Sequence, residues 1–315
     1  MTVDNVWQIY RTQGYAGVLA ADVHTAMGHF YVALLAWGKD DIEQALMSAH
    51  VADALEPENP IFRQAVTYLE RVRAQGKGGV YVDGEAFAAF IRGGGNIGLY
   101  AAVSDALRLI YQDYETLSVL DIGVGDGLAL LPALTRNITR LTLVEPSEAM
   151  LGRTTAALDD WRMPYRAYAL PVQEFMQVSG DAHWSVIQAT WSLQSLAPPE
   201  RPTVFEWMRA HGDRVLIAEF DVPNFEDLYA PERVQYILSH YVDGLAEYPD
   251  DGRLVAQGFL MPVMFGYFDR SAARINYEEP IEAWVAALQS AGFARVETRS
   301  LFPYWWAEAV LIDAR

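Results

Sequence analysis

Ser118-Val119-Leu120-Asp121-Ile122-Gly123-Val124-Gly125-Asp126-Gly127 passes from an apolar run into three glycines separated by single residues. The apolar half predicts a strand over 117–122, and the glycines predict a turn that opens a helix over about 127–136. Glycine lets the backbone approach a ligand closely, and the start of a helix offers free N–H groups. A dinucleotide fingerprint, G-x-G-x-x-G, needs one more glycine where Leu128 stands. Nicotinamide and flavin dinucleotides are thereby disfavoured. Asp121, at the strand end, is a poor neighbour for a pyrophosphate and a good one for a cationic amine. A second strand, Leu141-Thr142-Leu143-Val144-Glu145, ends in a carboxylate where doubly wound sheets hold ribose hydroxyls. Asp121 and Glu145 together describe a nucleoside without phosphates that carries an amino-acid tail.

Outward from that stretch, strand and helix patterns alternate. Strands are expected at 140–145, near 164–170, at 184–190 and at 213–220, with helices at 147–159, near 172–177 and near 200–211. Helices over 85–92 and 97–111 come before them, and helix 280–291 with strands 293–301 and 307–313 follows. The alternation predicts an α/β doubly wound, Rossmann-like fold with a seven-stranded, mostly parallel sheet and covered faces. Pro303-Tyr304-Trp305-Trp306 is too short a link for a crossover helix, so the last strand is expected to be antiparallel.

Residues 25–75 carry helical spacing, broken at Lys39-Asp40-Asp41 and at Glu56-Pro57-Glu58-Asn59-Pro60, and read as two antiparallel helices. Ala33, Ala45, Ala52 and Pro57 fall at the small-residue and proline places of a tetratricopeptide repeat, of which one copy is visible. One hairpin cannot bury a continuous core alone, so it is expected to dock on something else, as a packing appendage or a homodimer surface, with a peptide-binding groove as the alternative. Gly76-Lys77-Gly78-Gly79 divides an N-terminal helical region, 1–79, from a domain over 80–315. Residues 222–280 form an insertion rich in aromatic side chains, expected as a lid at the ligand edge of the sheet. Those rings either face a pocket or form the insertion's own core.

Over roughly Gly95 to Arg315 the sequence resembles the class I S-adenosylmethionine-dependent methyltransferases. Their first-strand motif, D/E-x-G-x-G-x-G, is matched by Asp121, Gly123, Gly125 and Gly127, and their ribose acid at the end of the second strand by Glu145. The seven-strand order with an antiparallel last strand is the family's hallmark. The resemblance implies S-adenosylmethionine as cofactor and methyl transfer to O, N or C of a small apolar or aromatic acceptor. It also implies cofactor contacts from Gln188, from Gln173 near the adenine, and from Asn96 or Tyr100 at the methionine end. Thr190, Trp191 and Gln194, after the fourth strand, are candidates for the acceptor site or else a strand-end polar cluster with a core tryptophan. Tyr304 and Trp305 lie on the same edge. Glu219 and Asp221 at the end of the fifth strand, with His240 and Tyr267 of the insertion, are candidate bases for an acceptor that must lose a proton. Equally, one of the two carboxylates caps the next segment and the other is solvated. A fainter resemblance over 80–315 is to bacterial relatives of plant GRAS regulators, built on the same fold, which implies a non-catalytic small-molecule binding or interaction module as the alternative.

Composition narrows the partners. With 23 basic and 41 acidic side chains the net charge is -18, a field that repels polyanions and argues against a nucleic-acid partner. Only Lys39 and Lys77 are lysines, so no polybasic membrane patch is present. The absence of cysteine excludes disulfides, cysteine-ligated metals and thiol nucleophiles. The six histidines form no ligand pair, and no metal is expected. No run is long enough and apolar enough to span a bilayer, so the chain is expected to be soluble and cytoplasmic, with a small molecule as its partner.

Overall fold

The computed structural model describes residues 1–77, 84–248, 252–271 and 274–315. The chain forms two compact units, residues 1–96 with 225–273 and residues 97–224 with 274–315. This differs from a division after residue 79, where Gly78 and Gly79 lie outside the described residues. Residues 84–96 and most of the insertion belong with the N-terminal helices. The cause is aromatic packing: Phe90 stacks on Phe259 at 4.1 Å, Phe87 sits 5.5 Å from the same ring, and Asn96 donates to the Tyr248 hydroxyl at 3.0 Å.

In the first unit, residues 25–75 make three helices rather than two, Ala26–Trp37, Ile42–Leu55 and Pro60–Gln75. Both expected breaks are real, and each yields a capped start, with the Asp41 and Asn59 side chains accepting from Gln44 and Ile61 N–H groups. Val3–Leu19 adds a further helix, interrupted at Gly14, whose φ of 70° lies in the left-handed region. The insertion closes the same core. Trp37 donates to the Phe265 carbonyl at 2.8 Å, Tyr68 stacks on Phe265 at 4.9 Å, and the Tyr31 hydroxyl donates to the Tyr229 carbonyl. Tyr229, Tyr241, Tyr248, Phe259, Phe265 and Phe268 of the insertion are all buried.

The second unit is the sheet: β1 (Leu117–Ile122), β2 (Ile138–Val144), β3 (Tyr165–Tyr168), β4 (Trp184–Thr190), β5 (Gly212–Phe220), β6 (Val296–Pro303) and β7 (Glu308–Ala314). Their order is β3-β2-β1-β4-β5-β7-β6, and β7 runs antiparallel to both neighbours while β1 to β5 pair in parallel. Alternation sends successive side chains to opposite faces. Val119, Leu141, Leu143, Val186 and Leu216 join Val103, Leu107 and Tyr111 of helix Asn96–Gln112 in one core. Leu120, Ile122, Ile187, Val215 and Ile217 join Phe205, Met208 and Trp284 in the other. With both faces covered, function is confined to the strand ends.

One expected element is absent. Gly127 does not open a helix; only a single 3₁₀ turn, Leu131–Ala133, follows the glycines. Pro132 explains it. In a helix begun at Gly127 it would sit in the interior, where the missing N–H and ring clash cost about 3 kcal/mol.

Candidate functional site

The site forms where β1, β2, β4 and β5 end. Asp121 pairs in register with Gln188 across β1 and β4, which puts the two side chains next to each other. Gln188 donates to Asp121 Oδ2 at 2.6 Å, and its own carbonyl oxygen accepts from the Tyr111 hydroxyl. All three residues are buried, and Asp121 Oδ1 has no hydrogen-bond partner. Burial pushes the Asp121 carboxyl up to about 7, against the pull of the Gln188 bond, with the Glu145 charge adding to the rise. Gln188 thus holds the Asp121 carboxylate in place.

The glycine loop is tied to the end of β2. Gly125 N–H donates to Glu145 Oε2 at 3.0 Å and Ser147 N–H to Glu145 Oε1 at 2.9 Å, so Glu145 fixes the loop. Gly123 has a φ of 72°, and a Cβ there would lie 2.3 Å from the Ser192 Cβ, so no other residue fits. Gly125 has a φ of 58°, yet a Cβ there would meet nothing within 4 Å. Space is open on that side of the loop.

At the ends of β4 and β5 the aromatic candidates converge on Phe220, which no local motif singles out. Trp191 stacks on Phe220 at 5.5 Å, Phe220 on Tyr304 at 5.4 Å, Tyr304 packs on Trp305 at 5.4 Å, and Tyr100 meets Trp191 edge-on at 5.2 Å. Trp191 holds a φ of 48°, rare for a bulky residue and characteristic of functional sites. Its indole N–H and the Gln194 side-chain oxygen are buried without hydrogen-bond partners. Thr190, half-buried, precedes this turn.

The paired carboxylates have separate roles. Asp221 Oδ1 accepts from the Ile281 N–H at 2.9 Å, capping helix Ile281–Ser290. Glu219 is buried and accepts from the Gln194 N–H at 3.2 Å, and burial pushes it up to about 8 against the opposing charge of Arg201. Arg201 is itself 2% exposed, lies over the Trp284 ring at 3.8 Å, and binds the Leu196 and Tyr277 carbonyls and the Glu279 carboxylate.

The raised values of Asp121 and Glu219 fix a sign. The folded chain keeps protons that the unfolded chain releases near 3.8 and 4.5, so the stability they contribute is full at low pH and lost as pH rises through about 7 and 8. The expected result is a thermal midpoint that falls between about pH 4 and about pH 8 and levels off above, with Glu219→Gln flattening part of that slope. An unchanged slope in the variant would remove Glu219 from the account.

Gln173 is exposed in the first turn of helix Val172–Val178. Asn96, His240 and Tyr267 belong to the other unit. There Asn96 bonds the Phe90 carbonyl and Tyr248, the His240 ring lies at 2.7 Å from the Tyr236 carbonyl, and Arg233 lies over the Tyr267 ring. Among the described residues no group of three metal-ligating side chains converges, and no helix is long and apolar enough to cross a membrane.

Strand order, the lone antiparallel β7, the glycine loop after β1 and the acid after β2 define the class I methyltransferase fold. No family model and no curated protein matches the chain. Among solved structures it is similar to the magnesium protoporphyrin IX methyltransferase of Synechocystis PCC 6803, at 12% identity over 80% of this chain and 99% of that one, with a TM-score of 0.49. It is similar also to the Burkholderia thailandensis 1,6-didemethyltoxoflavin-N1-methyltransferase, at 17% identity over 81% and 89% with a TM-score of 0.48. A third is the mitomycin 7-O-methyltransferase, at 14% identity over 95% and 75% with a TM-score of 0.46. At such identities the likeness is one of fold.

Proposed function

We propose that the chain transfers a methyl group from S-adenosylmethionine to a small apolar or aromatic acceptor. The observation that carries this reading is the buried, unpartnered Oδ1 of Asp121, held in place by Gln188 beside a glycine loop with an open side. A cationic amino group is the ligand such an oxygen suits. Glu145 keeps lone pairs for ribose hydroxyls, since each of its oxygens accepts one N–H.

The cofactor, when bound, supplies a methyl group already activated on a sulfonium sulfur. The chain's part is to bind, align and exclude water. The stack of Trp191, Phe220, Tyr304 and Trp305 offers a flat apolar face to the acceptor, and the orphaned Gln194 oxygen offers it a hydrogen-bond acceptor. Glu219, raised to about 8, is tuned to take and return a proton near neutrality. Asp221, committed to the Ile281 N–H, is the weaker candidate, and His240 and Tyr267 are tested beside it by single replacement.

Calorimetric titration of cofactor-free protein with S-adenosylmethionine, S-adenosylhomocysteine and NAD tests the reading. Micromolar binding of the first two and none of NAD is expected. Tyr111→Phe removes the donor that orients Gln188 and is expected to weaken this binding by roughly tenfold without touching the ligand. A parental dissociation constant in that variant would dismiss the relay.

A second reading, a non-catalytic small-molecule module, is favoured by the missing helix after Gly127. Absence of S-adenosylmethionine binding would select it.

A further inference from the structure

The first unit contains a cavity of about 390 Å³, within the range of small-molecule sites, that has no part in the chemistry above. Helix Val3–Leu19 forms one wall, and its interruption at Gly14 opens onto the cavity. The wall is aromatic: Trp7 and Tyr10 stack at 6.0 Å, and Tyr10 packs edge-on against Tyr229 at 5.8 Å.

Three cations converge there in a chain of net charge -18: Arg11, Lys39 and Arg270. Two are held by aromatic faces instead of by carboxylates, with Arg11 5.7 Å from the Trp7 centroid and Arg270 4.9 Å from that of Tyr229. Stacking fixes the Arg11 guanidinium plane and leaves its edge donors available for a planar anion, while Arg270 also bonds the Tyr229 side chain and keeps its other donors. Among the described residues none of the three cations has a carboxylate within 4.0 Å. Glu226 and Asp227 line the same cavity, and Asp227 is already engaged, accepting from the Tyr229 N–H at 2.9 Å. Among the described residues Glu226 likewise has no cation within 4.0 Å. Opposite charges thus share one cavity without neutralising each other, which is the arrangement that a ligand bearing both charges would complete.

We propose that this cavity binds a small aromatic zwitterion, its carboxylate on Arg11, Lys39 and Arg270, its ammonium on Glu226, and its ring along Trp7 and Tyr10. The site stands apart from the methyl-transfer reading and does not depend on it.

The test is a calorimetric titration of the full chain with L-phenylalanine, and with three probes that each lack one feature: phenylacetate without the amine, phenethylamine without the carboxylate, and L-alanine without the ring. L-phenylalanine is expected to bind at least about tenfold more tightly than each of the others. Arg11→Gln is expected to weaken L-phenylalanine and phenylacetate while sparing phenethylamine, and Glu226→Gln to weaken L-phenylalanine and phenethylamine while sparing phenylacetate. Both side chains are exposed, so neither change threatens folding. Retention of L-phenylalanine binding in Asp121→Ala would establish that the site is separate. No binding of L-phenylalanine, equal binding of all four probes, or parental binding in both variants would overturn the assignment.

Discussion

Asp121→Ala is expected to bind S-adenosylmethionine from about tenfold to over a hundredfold more weakly than the parent chain, the largest effect on binding expected from any single replacement. A hydrogen bond to a charged group contributes about 1.5–3 kcal/mol, and each 1.4 kcal/mol is a factor of ten. The effect should be near the upper end because Oδ1 is buried and has no other partner, so water replaces little of what is lost. Asp121→Asn separates charge from shape, since it preserves the volume beside Gln188. In the parent chain affinity should rise with pH through about 7, as the buried acid ionises to meet a cation, and the Asn variant should show no such rise. A dissociation constant unaltered in both variants would remove Asp121 from the cofactor site.

Arg201→Ala should cost about 3–5 kcal/mol of folding stability, read by denaturant unfolding. Arg201 is 2% exposed and binds two carbonyls and the Glu279 carboxylate while flattened on Trp284. Its removal strands Glu279, deprives buried Glu219 of an opposing charge and leaves a void beside the Trp284 ring. The double variant Arg201→Met with Glu279→Leu, which takes out both charges and keeps apolar bulk, should recover much of the loss. A loss below about 1 kcal/mol in Arg201→Ala would show the network to be loosely packed, contrary to its burial.

The sheet was legible because its signals are local and periodic. β1 and β4 occupy 117–122 and 184–190 as the apolar runs imply, and the short link after residue 303 makes β7 antiparallel as its length requires. The glycines and Glu145 were legible for the same reason. What escaped depends on pairing between distant residues. Gln188 supports Asp121 because β4 lies beside β1 in one particular register, and Tyr111 reaches Gln188 from a helix that precedes the strand. Neither fact is written in any window of sequence. Phe220 becomes the centre of an aromatic stack only when Trp191 and Tyr304 arrive from two other segments. Pro132 is the local signal against a helix after Gly127, and it outweighs the glycine motif. The capping role of Asp221 stood among the alternatives but needed the chain's return at Ile281 to decide it.

The first unit has a history as well as a structure. Its two segments are separated in the chain by residues 97–224, so the insertion emerges from a ribosome long after the helices it completes. At roughly 5–20 residues per second that interval is on the order of ten seconds. Throughout it Trp37 and Tyr68 lack Phe265, and Tyr31 lacks the carbonyl of Tyr229. The nascent N-terminal helices therefore wait with apolar rings uncovered, a substrate for chaperones until translation delivers the other half of their core.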